Sequence, residues 1–123
     1  YSELEKAVRK ATNNDPWGPK GKHLDEILQG TYDEKSFPEI MDMLDKRLLE
    51  GKNWRVVYKA LILLHYLLRN GSERVVQEAR RNNYRIRELE DFRKVDSSGK
   101  DQGANIRTYA KYLLERLEDD GRL

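Results

Sequence analysis

The chain has 123 residues, 37% hydrophobic and 37% charged, with 24 basic and 22 acidic side chains and a net charge of +2. That is one domain's worth of chain, able to bury roughly two thirds of its unfolded surface, and too evenly charged to attract nucleic acid through bulk charge. The absence of cysteine excludes disulfides, thiolate metal sites and a cysteine nucleophile, and the longest apolar run, Ala60 to Leu64, falls far short of the roughly 20 residues of a membrane span.

In chain order, Leu4, Ala7, Val8 and Ala11 share one face of a helix predicted over Tyr1 to Thr12, with Ser2 as its N-cap. Asn13 to Pro19 is dense in turn formers, and its two prolines stop the helix, so a rigid loop follows with Trp17 set against the core. Leu24, Ile27, Leu28 and Thr31 predict a short second helix over Lys22 to Thr31. Ser36-Phe37-Pro38-Glu39 fits a capping box, opening a third helix to about Leu49 with Phe37, Ile40, Met41, Leu44 and Leu48 inward.

Trp54 to Gly71 carries nearly two apolar stripes, Val57/Leu61/Leu64/Leu68 and Val56/Ala60/Leu63/Leu67, leaving Arg55, Lys59 and Arg69 as a narrow wet strip. Only a helix surrounded by helices is apolar over most of its circumference, so this is the expected axle of an all-α domain. Gly71 is expected to end it in the left-handed conformation. The short connection Glu50 to Asn53 makes the third helix and the axle antiparallel neighbours. Ser72 is the expected cap of a helix with Val75, Val76 and Ala79 inward and Arg74, Arg80 and Arg81 outward. Asn82-Asn83 breaks it before a shorter piece over Tyr84 to Phe92. After the turn Asp96 to Gly99, Ile106, Tyr109, Ala110, Leu113, Leu114 and Leu117 form a one-sided stripe ending near Asp120-Gly121. No segment alternates with period two. The pattern predicts about seven helices, in a right-angled stack or solenoid more than a long four-helix bundle.

Catalytic signatures are missing: there is no GxSxG, HExxH, Walker loop or GxGxxG. His23 and His65 stand alone, His65 inside the axle where a satisfied hydrogen bond accounts for it. The carboxylate runs Glu88/Glu90-Asp91 and Glu118 to Asp120 read as solvated helix faces. Basic residues near helix ends say more. Arg9, Lys46, Arg47, Lys52 and Arg55 are either ordinary surface charges or the cationic wall of a phosphate pocket, to which the axle's N-terminal amides would add partial positive charge. A second cluster, Arg80, Arg81, Arg85 and Arg87, is spread over a helix break and reads more simply as surface charge.

YSELEKAVRKATNNDPWGP, FPEIMDMLDKRL, GKNWRVVYKALILLHYLLRNGSERVV and VDSSGKDQGANIR, in that order and spacing, resemble successive blocks of the epsin N-terminal homology (ENTH) domain across practically the whole chain. The resemblance implies one domain over 1–123, all-α, a right-handed superhelical stack (α-solenoid) of about seven to eight helices. It implies no enzymatic activity, no cofactor and no catalytic or metal site. It further implies a monomeric module that reads phosphoinositide headgroups for a cytoplasmic clathrin adaptor, peripheral on the plasma membrane or on trans-Golgi and endosomal membranes and coated vesicles. Clathrin and other adaptors would bind through regions outside this chain. The family's short amphipathic segment, which folds on the headgroup and wedges into the leaflet, would precede Tyr1, and this sequence is expected to be a fragment that lacks it; liposome binding should strengthen when it is restored.

Residue by residue, the family's headgroup pocket maps onto Arg9 in VRKAT, Asn14 in NNDPWGP, Arg47 in DKRL and Lys52 in GKNW. Val56 stands where plasma-membrane epsins carry a pocket histidine, which leaves phosphatidylinositol 4,5-bisphosphate unsupported as the specific ligand, and the loop before Lys52 is one residue shorter than theirs. FPEIM and RNGSERVV are closer to the trans-Golgi and endosomal branch, which resembles a reader of phosphatidylinositol 4-phosphate and a binder of vesicle-fusion (SNARE) proteins. A different class of function, a scaffold whose outer faces hold a SNARE or cargo helix with lipid secondary, therefore stays open.

Overall fold

A computed structural model describes residues 1–16 and 18–119. These form seven α-helices: α1 (Glu3–Ala11), α2 (Gly21–Gly30), α3 (Ser36–Leu48), α4 (Trp54–Asn70), α5 (Glu73–Arg81), α6 (Tyr84–Glu88) and α7 (Gly103–Glu118), with a 3₁₀ turn at Leu89–Asp91 after α6. Among the described residues the only β pairing is an isolated bridge between Val95 and Asp101. The expectations for Trp17 and for a helix end at Asp120-Gly121 fall outside the described residues.

The axle reading holds, because α4 packs against α1, α2, α3, α5 and α7. Its two stripes are both used: Val57, Ala60, Leu61, Leu63 and Leu67 are fully buried. The stripes of α1 and α7 also bury as their spacing predicts, through Ala7, Val8 and Ala11, and through Ile106, Ala110, Leu113 and Leu117. On α3 the inward methionine is Met43, fully buried, whereas Met41 is only partly so.

Local chemistry departs from expectation at three joints. Ser2 caps α1 as predicted, in a reciprocal box with Glu5. Ser36, however, is already inside α3: its N–H and its hydroxyl both donate to the Asp33 carboxylate, at 2.9 and 2.7 Å. A charged acceptor three residues earlier takes the capping role from the hydroxyl. Gly71 is extended, not left-handed (φ −84°, ψ −171°); a Cβ there would lie 2.7 Å from the Leu67 carbonyl oxygen, so the glycine serves close approach rather than handedness. Ser72 occupies the N-cap position of α5, but its hydroxyl donates 2.7 Å to the Thr31 carbonyl and ties α5 to the end of α2 instead of capping its own helix.

His65 finds the partner expected of it: Nδ1 and the Tyr109 hydroxyl of α7 are 2.7 Å apart. Burial, with Arg69 and Arg116 nearby, pushes the imidazole below its ordinary 6.5, and burial pushes the Tyr109 phenol up to about 12. The folded chain thus favours neutral imidazole, a contribution present above 6.5 and lost as pH falls from there through the lowered folded value. We expect Tm to fall between about pH 7.5 and pH 5 by more than in His65→Gln. Equal losses in the two proteins would remove the histidine from the account.

Candidate anion-binding site

The site is built around the loop between α1 and α2, which three cations from α3 and α4 hold by its backbone. Arg47 is only 8% exposed; its Nε donates to Thr12 Oγ1 at 2.9 Å and its Nη2 to the Thr12 carbonyl at 3.1 Å. Thr12, itself fully buried, donates its hydroxyl to the Val8 carbonyl at 2.8 Å, so the guanidinium is locked onto the end of α1. Arg55 Nη1 donates 3.0 Å to the Asn14 carbonyl while its guanidinium lies over the Trp54 ring.

Lys59 is the correction to the wet strip: it is 5% exposed, and its ammonium donates to Asn13 Oδ1 at 2.7 Å and to the Asp15 carbonyl at 3.2 Å. Asn13 closes the loop by accepting from the Asp15 N–H and donating to its carboxylate, both at 3.1 Å. Burial lowers the Lys59 ammonium from its ordinary value, and the Asp15 charge opposes that shift. A signal for this role was present, since Val56 and Leu63, three residues before and four after, are both buried and share that face of α4.

Of the four residues singled out by sequence, Arg9 and Arg47 are brought together. Burial, then the neighbouring Arg9 charge, pushes the Arg47 guanidinium below its ordinary value. Asn14 is exposed, and its carbonyl, not its carboxamide, is engaged by Arg55. Lys52 is exposed in the turn between α3 and α4 and has no hydrogen bond or ion pair among the described residues. Nearby, α4 begins with Asn53 making no side-chain cap and with no acid in the first turn, so its positive end is uncompensated. Val56 is buried in that first turn, leaving no polar group at the position. By contrast Arg80, Arg81 and Arg85 are taken up internally, by the Leu117 carbonyl, Glu78 and Asp45.

Chemically, two adjacent guanidiniums, one in a fixed orientation, can hold an anion, and the turn that leads from α3 into the open end of α4 adds the exposed Lys52. Among the described residues no group of three His, Asp or Glu could hold a metal, and no helix is long and apolar enough to cross a membrane.

The sequence matches the family described as ENTH domain over residues 1–123. It is 55% identical over 125 residues to human clathrin interactor 1, covering 100% of this chain but 20% of that protein, so the chain spans about a fifth of its curated relative. Its fold superposes on the crystal structure of the human epsinR ENTH domain with a TM-score of 0.95 at 55% identity, covering 99% of this chain and 91% of that one. It is likewise similar to the ENTH domain from epsin-2 in complex with phosphatidylinositol 4,5-bisphosphate, with a TM-score of 0.93 at 48% identity, covering 99% and 87% of the two chains. A superhelical stack of helices, the ordered sequence blocks and the match along the whole length together place the chain in the ENTH domain family.

Proposed function

We propose that this chain is the membrane-recruitment module of an epsin-type clathrin adaptor, without enzymatic activity, and that it reads a phosphorylated inositol headgroup through Arg9, Arg47 and Lys52 as cations and Asn14 as a hydrogen-bonding side chain. The observation that carries this is the pairing of like charges: burial and then the Arg9 charge push the Arg47 guanidinium below its ordinary value, with Glu50 opposing, and Arg47 spends two donors on Thr12 instead of on a carboxylate. Two like charges side by side repel, and a multiply charged phosphate between them turns that repulsion into binding. An epsin-2 ENTH domain with the same fold has been solved with such a lipid, which supports the reading. The whole chain acts as one peripheral module, with vesicle budding at the plasma, trans-Golgi or endosomal membrane as its setting.

Lys52→Ala combined with Arg9→Ala removes two cations that make no side-chain hydrogen bond or ion pair among the described residues, Arg9 lying only over the ring of the exposed Tyr1. We expect this variant to keep its helicity and melting temperature while losing headgroup affinity by on the order of 100-fold or more, since each of the two charge-assisted contacts contributes about 1.5–3 kcal/mol. Unchanged affinity would move the site elsewhere.

A second reading rests on a cavity of about 270 Å³ between α3, α4, α5 and α6, whose floor includes Met41, Leu44, Leu48 and Leu64. With Asp42, Asp45, Glu78 and Arg85 at its wall, it would suit an apolar anchor flanked by polar groups from a SNARE or cargo helix, and such binding would weaken less with salt than headgroup binding.

A further inference from the structure

Where α4 packs on α7, the seam between them carries a row of tyrosines. Tyr58, Asn105, Thr108, Tyr109 and Tyr112 line a shallow groove there of about 320 Å³, in which Arg47, Arg55 and Lys59 take no part. The rings of Tyr58 and Tyr109 stand 5.8 Å apart and those of Tyr109 and Tyr112 6.3 Å apart, edge to face in both pairs. His65 is wedged against the last two rings, at 5.7 and 5.5 Å, and its bond to the Tyr109 hydroxyl fixes the middle one. Tyr112, at the end of the row, is 39% exposed.

The polar groups of this groove have no internal use. The Tyr58 and Tyr112 hydroxyls make no hydrogen bond among the described residues, and neither do the side chains of the exposed Asn105 and Thr108. Two guanidiniums close the Tyr112 end. Arg116 lies over the Tyr112 ring at 4.2 Å, and Arg69 leaves α4 in its last turn, one turn past His65. Burial, then the Arg69 and Arg116 charges, push the His65 imidazole below its ordinary value, which sets both guanidiniums beside the rings. Neither makes a side-chain hydrogen bond or ion pair among the described residues, and the exposed Glu115, next to Arg116 in sequence, pairs with neither.

Rings at these steps, with free hydroxyls beside them, suit one backbone shape. A polyproline II segment advances about 3.1 Å per residue, so two residues cover roughly the distance from one ring to the next. It makes no internal hydrogen bonds, so its carbonyls are free to accept from the tyrosines. An α-helix spends its carbonyls on itself and would leave those hydroxyls unpaired. We infer that this groove docks an extended, proline-rich segment of a partner protein that carries an acidic residue at one end. Its prolines seat on Tyr58, Tyr109 and Tyr112, the Tyr58 and Tyr112 hydroxyls donate to its carbonyls, and its carboxylate meets Arg69 and Arg116. Such a segment is already extended when free, so little ordering opposes its binding. The groove shares no residue with the site of Arg9, Arg47 and Lys52 or with the cavity between α3, α4, α5 and α6.

The test is a titration of the chain with fluorescein-labelled oligoprolines carrying Asp-Asp or Lys-Lys at either terminus, followed by anisotropy and by amide NMR. An Asp-Asp peptide should bind saturably and shift the amides of Asn105, Thr108, Tyr109 and Tyr112, and the Lys-Lys peptides should bind about tenfold more weakly or less. Tyr112→Ala, which removes an exposed ring, should lose about tenfold in affinity with the rest of its spectrum unchanged. Arg69→Ala/Arg116→Ala should erase the preference for Asp-Asp over Lys-Lys. Arg9→Ala/Lys52→Ala should bind the peptide as the unaltered chain does, so a failure of the headgroup site and a failure of this groove are told apart. No saturable binding, equal affinity for the two kinds of peptide, full affinity in Tyr112→Ala, or shifts confined to Met41, Ala79 and Ile86 would each overturn the inference. So would tighter binding of an acidic helical peptide without proline, which would give the groove to a helix. A dimer in sedimentation that Tyr112→Ala dissociates would give it to a second copy of the chain and overturn the inference equally.

Discussion

Arg47→Ala is expected to lower stability by about 2 kcal/mol, and Tm by roughly 8 °C, while reducing headgroup affinity by on the order of 30-fold or more. One side chain carries both effects because its guanidinium holds two buried acceptors of Thr12, and those acceptors cannot find water when it is removed. The loop that presents Asn14 begins at Thr12, so its geometry and the pocket's charge are lost together. Arg47→Lys separates the two contributions: the positive charge survives, but an ammonium cannot reproduce the planar fork onto Thr12 Oγ1 and the Thr12 carbonyl. Affinity in Arg47→Lys should therefore fall between the other two proteins. Thermal melts and headgroup titrations of the three decide it, and an Arg47→Ala protein with unaltered Tm would show that the Thr12 contacts do not hold the loop.

Gly71→Ala is expected to cost about 2–3 kcal/mol, a drop in Tm of roughly 10 °C, despite adding only one methyl group. The new Cβ would meet the Leu67 carbonyl oxygen at 2.7 Å and Thr31 Oγ1 at 3.1 Å. Neither can step aside cheaply. Leu67 O is the last carbonyl of α4 to accept from the cap, and Thr31 Oγ1 donates to the Leu28 carbonyl and accepts from the Ser72 N–H. Three helix ends meet at this point, so a shift of any one disturbs the others. Gly51→Ala is the control, with nothing within 4 Å of its Cβ position, and should melt within about 0.5 kcal/mol of the unaltered chain. A Gly71→Ala protein melting alongside that control would mean the junction has slack.

The helices were legible because each buries a stripe its sequence displays, and α4 was legible as the axle because two stripes leave it no wet side. Where the sequence misled, the deciding partner lay elsewhere in the chain or in another register. Ser36-x-x-Glu39 has the form of a capping box, but Asp33 supplies a stronger acceptor one turn earlier. Gly71 follows a helix as a left-handed glycine would, and only the approach of Thr31 and Val75 shows what its missing side chain is for. Lys59 looked like a solvated charge because its partners, Asn13 and Asp15, are more than forty residues away. The same holds for the site. Arg9, Asn14, Arg47 and Lys52 are proposed through family blocks, whereas the hold of Arg47 and Arg55 on the loop follows from three-dimensional contacts alone.

The measurement that bears most directly on the headgroup reading is binding of the Arg9→Ala/Lys52→Ala variant and the unaltered chain to vesicles carrying a phosphorylated phosphatidylinositol, at low and at high salt. The unaltered chain should bind and weaken steeply as salt rises, and the variant should bind at least tenfold less at low salt with a shallower dependence. Equal binding of the two proteins, unaffected by salt, would contradict a cationic headgroup site on this face and leave a protein partner as the reading.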